Sequence, residues 1–176
     1  MAKIALLGAS GQAGSRILNE LVQRGHHVTA IARHPEKIAS LPNVTIKQGD
    51  AQDKQALIAL LKGHDVVVSA IKFANTDPHV LIDAVKTAGV KRYLVVGGAG
   101  SLKVASGERL IDLADFPDAY RPEATKGAEF LAILENEKTL DWSFLSPSAE
   151  FVPGERTGVF RLGKDQLLVG SGGSEI

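Results

Sequence analysis

Ile4-Ala5-Leu6-Leu7-Gly8-Ala9-Ser10-Gly11-Gln12-Ala13-Gly14 decides the fold of this chain. Its first four residues are an unbroken apolar run, the mark of a strand buried on both faces. A helical pattern opens near Gln12. Ala13, Ile17, Leu18, Leu21 and Val22 recur at the spacing of one helix face, and Gly25 supplies a stop. Between strand and helix the glycines follow G-x-x-G-x-x-G, at Gly8, Gly11 and Gly14. A strand that turns sharply into a helix through spaced glycines presents free backbone N–H groups and the positive helix end to a phosphate. Glycines also serve turns and close helix packing, so the spacing alone says little. Its position at the first strand–helix junction is what a dinucleotide fold requires.

Outward from that junction strands and helices alternate. Residues 28–32 read as a second strand, followed by a brief helical turn over 35–39, and residues 44–48 as a third strand ending at Gly49-Asp50. Residues 53–62 carry Ala56, Leu57, Leu60 and Leu61 on one helical side, with Gly63 closing, and Val66-Val67-Val68 is the core of a fourth strand. Asp77-Pro78 is an N-cap followed by proline, which starts a helix carrying Val80, Leu81, Ala84, Val85 and Ala88 as far as Gly89. A fifth strand over 93–96, a helix over 122–137 and a sixth strand over 142–145 complete the pattern. The central strands are continuously apolar. That combination predicts a parallel sheet with helices on both faces, a Rossmann-type doubly wound α/β fold in one domain spanning 1–176. Residues 102–120 form a long connection of the kind that serves as a substrate loop. Residues 159–169 look like a small C-terminal strand pair, before a Gly170-Ser171-Gly172-Gly173-Ser174 tail.

The composition narrows the functions open to such a domain. Twenty basic residues balance twenty acidic ones, so no basic face dominates and a nucleic-acid role loses its electrostatic support. Cysteine is absent, which excludes disulfides, thiolate catalysis and cysteine-ligated zinc, and the five histidines show no metal-ligand spacing; no metal is expected. No apolar run reaches the roughly 18 residues of a membrane span. Met1-Ala2-Lys3 runs straight into the first strand without a signal-peptide pattern, so the expected location is the cytoplasm. Oligomeric state stays open.

In an open parallel sheet the ligand lies beyond the carboxyl ends of the strands. Those ends carry Gly8, Ser10, Gly11, Gln12, Ala13 and Gly14, then Arg33-His34, Asp50-Ala51, Ser69-Ala70-Ile71 followed by Lys72, Gly97-Gly98 and Pro147. These are the candidate cofactor-binding residues. After the second strand an acidic residue would accept from an adenosine ribose, whereas a cation pairs with a 2′-phosphate. Here Arg33 and His34 stand there, with no carboxylate before Glu36. Arginine grips phosphate bidentately, which favours NADP(H) over NAD(H). Asp50 reads either as an adenine contact or as a cap for the helix that follows.

The segments IALLGASGQAGSRI, TAIARHPEKI, DVVVSAI, RYLVVGGAGSL, YRPEATKGAEFL and DWSFLSPSAEFVPGERTG, in this order, resemble the atypical short-chain dehydrogenase/reductase family, in its NAD(P)H-binding or NADH-flavin-reductase-like branch. The resemblance implies a Rossmann domain holding a nicotinamide dinucleotide. Typical members of the superfamily carry a serine just after the fifth strand and a Tyr-x-x-x-Lys pair on the next helix. Here Gly97 and Gly98 occupy the serine-equivalent positions, and Tyr120 and Lys126 stand six residues apart. Four residues place two side chains on one helix face, and six do not. Tyr120, Lys126 and Ser101 are the candidate catalytic residues, with Lys126 also placed to touch ribose. The expectation is an NAD(P)H-dependent reductase passing a hydride to a small flavin- or quinone-like acceptor, with no membrane or nucleic-acid partner. The alternatives are a non-enzymatic NADP(H)-binding redox sensor and a nucleotide-sugar epimerase or dehydratase. The resemblance also implies a further helix and strand beyond Ser174-Glu175-Ile176, so the chain is expected to lack the family's last elements.

Overall fold

A computed structural model describes residues 1–170. Six strands form one parallel sheet: β1 (Lys3–Leu7), β2 (His27–Ala32), β3 (Val44–Gln48), β4 (Val66–Ser69), β5 (Arg92–Val96) and β6 (Asp141–Leu145), in spatial order β3-β2-β1-β4-β5-β6. The chain order reverses between β1 and β4, which pair from Ile4↔Val66 to Leu7↔Ser69. That reversal opens the crevice in which such sheets take their ligand.

Alternation along each strand divides the core in two. Ala5, Leu7, Ile31, Val67, Tyr93 and Val95 face the helices α2 (Lys54–Leu61), α3 (Pro78–Thr87) and α4 (Arg121–Asn136). Ile4, Leu6, Val28, Ala30 and Val68 face α1 (Gln12–Gln23) through Leu18. Because both faces are covered, β1 is apolar from Ile4 to Leu7, after exposed Lys3 at its start. Tyr93 is the one large polar side chain sealed in this core, and its hydroxyl has no hydrogen-bond partner among the described residues. Burial pushes its ionisation well up. The Ser69 hydroxyl lies close enough to oppose that shift, without hydrogen-bonding geometry.

Helix starts and stops follow the local chemistry. Asp77 caps α3 by accepting from His79 N–H at 2.8 Å, ahead of Pro78, and Asp53 caps α2 by accepting from Ala56 N–H at 3.0 Å. Gly25, Gly63 and Gly89 end α1, α2 and α3 with φ near +78°. At the turn from α4 to β6, Glu137 accepts from Lys86 Nζ at 2.8 Å and from the Thr139 N–H and hydroxyl at 2.6 Å. Lys86 foremost, then the two Thr139 donors, hold its carboxyl down at about 2.

One expectation changes. The strand pair over 159–169 does not form. Gln166 makes only an isolated parallel bridge to Lys103, and Phe151, Val152, Val159, Phe160 and Leu162 are half or more exposed. Alternating apolar residues suffice for a strand only when a partner edge and a core face are available. This segment pairs only around Gln166, where Lys103 N–H donates to the Asp165 carbonyl at 2.7 Å and Leu167 N–H to the Lys103 carbonyl at 2.8 Å, and just before it Arg156 is tied to Glu20 of α1 at 3.0 Å. The 102–120 connection, in turn, is well anchored. Leu102 and Ile111 are buried, and Arg121 donates to the Ile111 and Phe116 carbonyls at 2.9 and 3.0 Å. The Gly-Ser tail lies outside the described residues apart from Gly170. No described helix is long and apolar enough to cross a membrane.

Candidate dinucleotide site

At the carboxyl end of β1 the backbone turns through Gly8 with φ +80°, a conformation that glycine adopts without strain. A Cβ on Gly8 would stand 2.4 Å from the Ala70 carbonyl oxygen, so the turns after β1 and β4 touch backbone to backbone. Gly14 brings α1 down on this turn, where a Cβ would stand 2.0 Å from the Gly8 oxygen. Gly11 is the N-cap of α1 and donates its N–H to the Gly8 carbonyl at 2.9 Å. No side chain caps the helix, and its first turn holds no acidic residue. Its leading N–H groups therefore face outward with the helix dipole and meet no competing carboxylate. That arrangement suits a pyrophosphate.

Beside it a cleft of about 240 Å³ runs between the ends of β1, β2, β3 and β4. Gly8, Ser10, Gly11, Arg33, His34, Asp50, Ala51, Ala70 and Ile71 all line it, drawn together from four separate strand ends. Arg33 is exposed at its rim, and its guanidinium has no partner among the described residues. Its carbonyl accepts from Gln48 Nε2 at 3.3 Å, which fixes the backbone behind it. His34 Nδ1 pairs instead with Glu36 at 3.3 Å, both side chains well exposed. Asp50 does not cap α2, a task that falls to Asp53. Its carboxylate accepts from Gln52 N–H at 3.0 Å in a local turn at the cleft wall. Gln52, Asn75 and Thr76 also line the cleft and were not anticipated. Each follows a strand end by several residues, and no side-chain pattern marks it.

Gln12, Ala13 and Gly14 belong to the first turn of α1, and Ser69 is buried beneath the cleft at the end of β4. The candidate nicotinamide end lies across the sheet, past β5 and β6, where Gly97 N–H donates to the Leu145 carbonyl at 2.8 Å and half-buried Pro147 follows β6. A Cβ on Gly97 would fall 2.2 Å from the Phe144 ring, whereas one on Gly98 would meet nothing within 4 Å. The ring of Phe144 thus takes the space that a side chain at residue 97 would need. Ser101 donates weakly to the Gly98 carbonyl at 3.5 Å. Tyr120 is 68% exposed at the N-cap of α4, and Lys126, on the solvent side of that helix, is paired with Glu129 at 2.7 Å. Tyr120 and Lys126 are not joined as an acid–lysine pair.

A sequence profile of NAD(P)H-binding proteins matches residues 8–175. The chain belongs to the NAD(P)H-binding family. Its relatives agree with this fold and with the atypical short-chain dehydrogenase/reductase branch. The chain is 41% identical to the uncharacterised protein YwnB of Bacillus subtilis, over 97% of this chain and 84% of that one. A Bacteroides thetaiotaomicron protein provisionally named an epimerase superposes with a TM-score of 0.92 at 44% identity, covering 98% of this chain and 83% of its own. A Streptococcus pneumoniae protein provisionally named an NADH-flavin reductase does so with a TM-score of 0.80 at 34% identity, covering 98% and 85%. The family is thus one of Rossmann-type, oxidoreductase-like NAD(P)H binders.

Proposed function

We propose that this chain is an NADPH-dependent reductase that passes a hydride to a flavin- or quinone-like acceptor. The observation that carries the reading is the glycine pair after β5, where the superfamily's serine would stand. Gly97 is closed to any side chain by the Phe144 ring, and Gly98 offers none. A carbonyl acceptor needs a positioned proton donor for its developing alkoxide. A conjugated ring system spreads the arriving charge and relies less on one. Bound at this edge, the nicotinamide would supply the hydride. The chain's part is to seat the pyrophosphate on the N–H groups of α1, to engage the adenosine in the cleft, and to leave a side-chain-free floor at Gly97 and Gly98 for close stacking.

Arg33 supports the phosphorylated cofactor, because an unpaired guanidinium at the cleft rim matches a 2′-phosphate. Replacing Arg33 by Asp removes a charge-assisted pair of about 1.5–3 kcal/mol and should weaken NADPH by at least about tenfold while leaving NADH nearly unchanged. Equal losses for both cofactors would refute the assignment. Turnover is tested by steady-state NADPH oxidation against panels of flavins and quinones. Tight cofactor binding with no oxidation of NADPH in any of them would remove the reductase reading.

The exposure of Tyr120 and the Lys126–Glu129 pair favour a second reading, a binding protein that reports the NADP⁺/NADPH ratio to a partner. It requires markedly different affinities for the two redox forms, since only differential binding shifts an equilibrium. Equal affinities by calorimetry, together with turnover, would exclude it. A nucleotide-sugar epimerase or dehydratase ranks third, since neither the serine nor the Tyr-x-x-x-Lys spacing is present.

A further inference from the structure

The three-residue 3-10 turn Phe73–Asn75 stands between the cleft and α4 and is held from both sides. Lys72 precedes it and offers no capping side chain, so its leading N–H groups need a partner from elsewhere in the chain. Glu123, in the first turn of α4, provides one. Its two carboxylate oxygens accept from Phe73 N–H at 2.7 Å and Ala74 N–H at 2.8 Å. One helical turn on, Gly127 admits the Phe73 ring so closely that a Cβ would lie 3.1 Å from it. A turn further, Phe130 meets the same ring edge-on at 5.4 Å. At the other end of the 3-10 turn, the Asn75 carbonyl accepts from Gln52 Nε2 at 2.7 Å, from the opposite wall of the cleft.

We infer that Glu123 is a positioning residue for the cofactor: its two-oxygen clamp sets the turn that walls the adenosine half of the cleft, and docks α4 onto it. This rests on the NADP(H) reading above. A carboxylate is the group the geometry calls for, because both oxygens accept. A glutamine would turn its NH₂ toward one of the two N–H donors and keep only one bond. Without the clamp the turn keeps its ring packing on one side, Gln52 on the other and the Thr76 bonds to the Lys72 and Phe73 carbonyls, none of which takes up its leading N–H groups. The wall formed by Lys72, Asn75 and Thr76 is then free to shift away from the ligand.

Wild type, Glu123→Gln, Glu123→Ala and Gln52→Ala are titrated by calorimetry with NADP⁺ and with 2′,5′-ADP, the latter probing the adenosine half alone. The temperature is set well below every melting transition, so that only folded molecules are compared. Glu123→Gln should weaken both probes by about tenfold and Glu123→Ala by more, with Gln52→Ala showing the same direction. A merely structural role would lower the melting temperature and leave folded-state affinities at the wild-type value, and that result overturns the inference. If Glu123→Ala does not fold, Glu123→Gln carries the test. Should the wild type bind neither probe, the cofactor reading falls and takes this inference with it. A wild type that binds, beside variants that bind equally well, sinks this inference alone.

Discussion

Replacing Gly14 by alanine tests the seat of α1 on the first turn. The added methyl would stand 2.0 Å from the Gly8 oxygen, 2.8 Å from the Gly8 carbonyl carbon and 3.1 Å from Ala9 Cα. All three are backbone atoms, so no side chain can swing aside. Ordinary contact begins at 3.4 Å, and the helix must therefore back off by about 1.4 Å. Overpacking of this kind costs about 1–3 kcal/mol, and losing the Gly11 N–H to Gly8 hydrogen bond adds about 1 kcal/mol. Alanine's better helix propensity returns up to about 1 kcal/mol. The balance is a loss of about 2 kcal/mol, or roughly 4–8 °C in Tm for a chain of this size. The same retreat carries the leading N–H groups of α1 out of hydrogen-bonding reach of a pyrophosphate, so NADPH affinity should fall about tenfold or more. Thermal melts and fluorescence titration measure the two effects, with Gly154→Ala as the control because its Cβ meets nothing and it lies outside the cleft. A Gly14→Ala variant that melts and binds like wild type would refute the close-approach argument.

Three further outcomes follow from particular contacts. Tyr93→Phe deletes a sealed, unpartnered hydroxyl and should raise stability by about 1 kcal/mol in urea unfolding; a loss of that size would mean the hydroxyl is satisfied after all. Glu137 has a folded pKa of about 2 against an ordinary 4.5, so its contribution is complete above pH 4.5 and disappears as the pH falls toward 2. Glu137→Gln should therefore cost about 1 kcal/mol near pH 7, after allowance for solvent screening, and nothing near pH 2; a gap between the two proteins that stays constant across that range would contradict the assignment. Gly98→Ser should melt like wild type, whereas Gly97→Ser drives its side chain into Phe144 and should lose about 1–3 kcal/mol; equal melting of the two would show that the ring moves freely.

Most of the fold is legible because strand and helix periods differ, and because Gly25, Gly63, Gly89 and Asp77 mark boundaries by local chemistry. All six strands fall within a residue of their expected limits at each end. Residues 159–169 fail because their alternation describes only the chain itself, while a strand also needs an edge to pair with. The candidate site is legible where backbone conformation demands glycine and where a strand end delivers a side chain directly, as at Gly8, Gly11 and Arg33. Gln52, Asn75 and Thr76 are brought to the cleft by turns whose path depends on distant groups, Glu123 among them. Neither residue type nor spacing records that path. The same limit applies to Gly97, whose missing side chain is explained by Phe144, a residue 47 positions later in the chain.

The central place of β1 also orders events during synthesis. It leaves the ribosome before the other five strands of the sheet, yet it is flanked by β2 on one side and by β4 on the other. Its second edge stays bare until Val66–Ser69 has been made, while Ile4, Ala5, Leu6 and Leu7, all buried in the finished protein, wait with it. The nascent chain therefore carries a short apolar strand with an open edge for more than sixty residues of elongation. Such an edge is a template for pairing with another chain. Pauses or truncations between β2 and β4 should aggregate far more readily than those after residue 69, when both edges of β1 are taken.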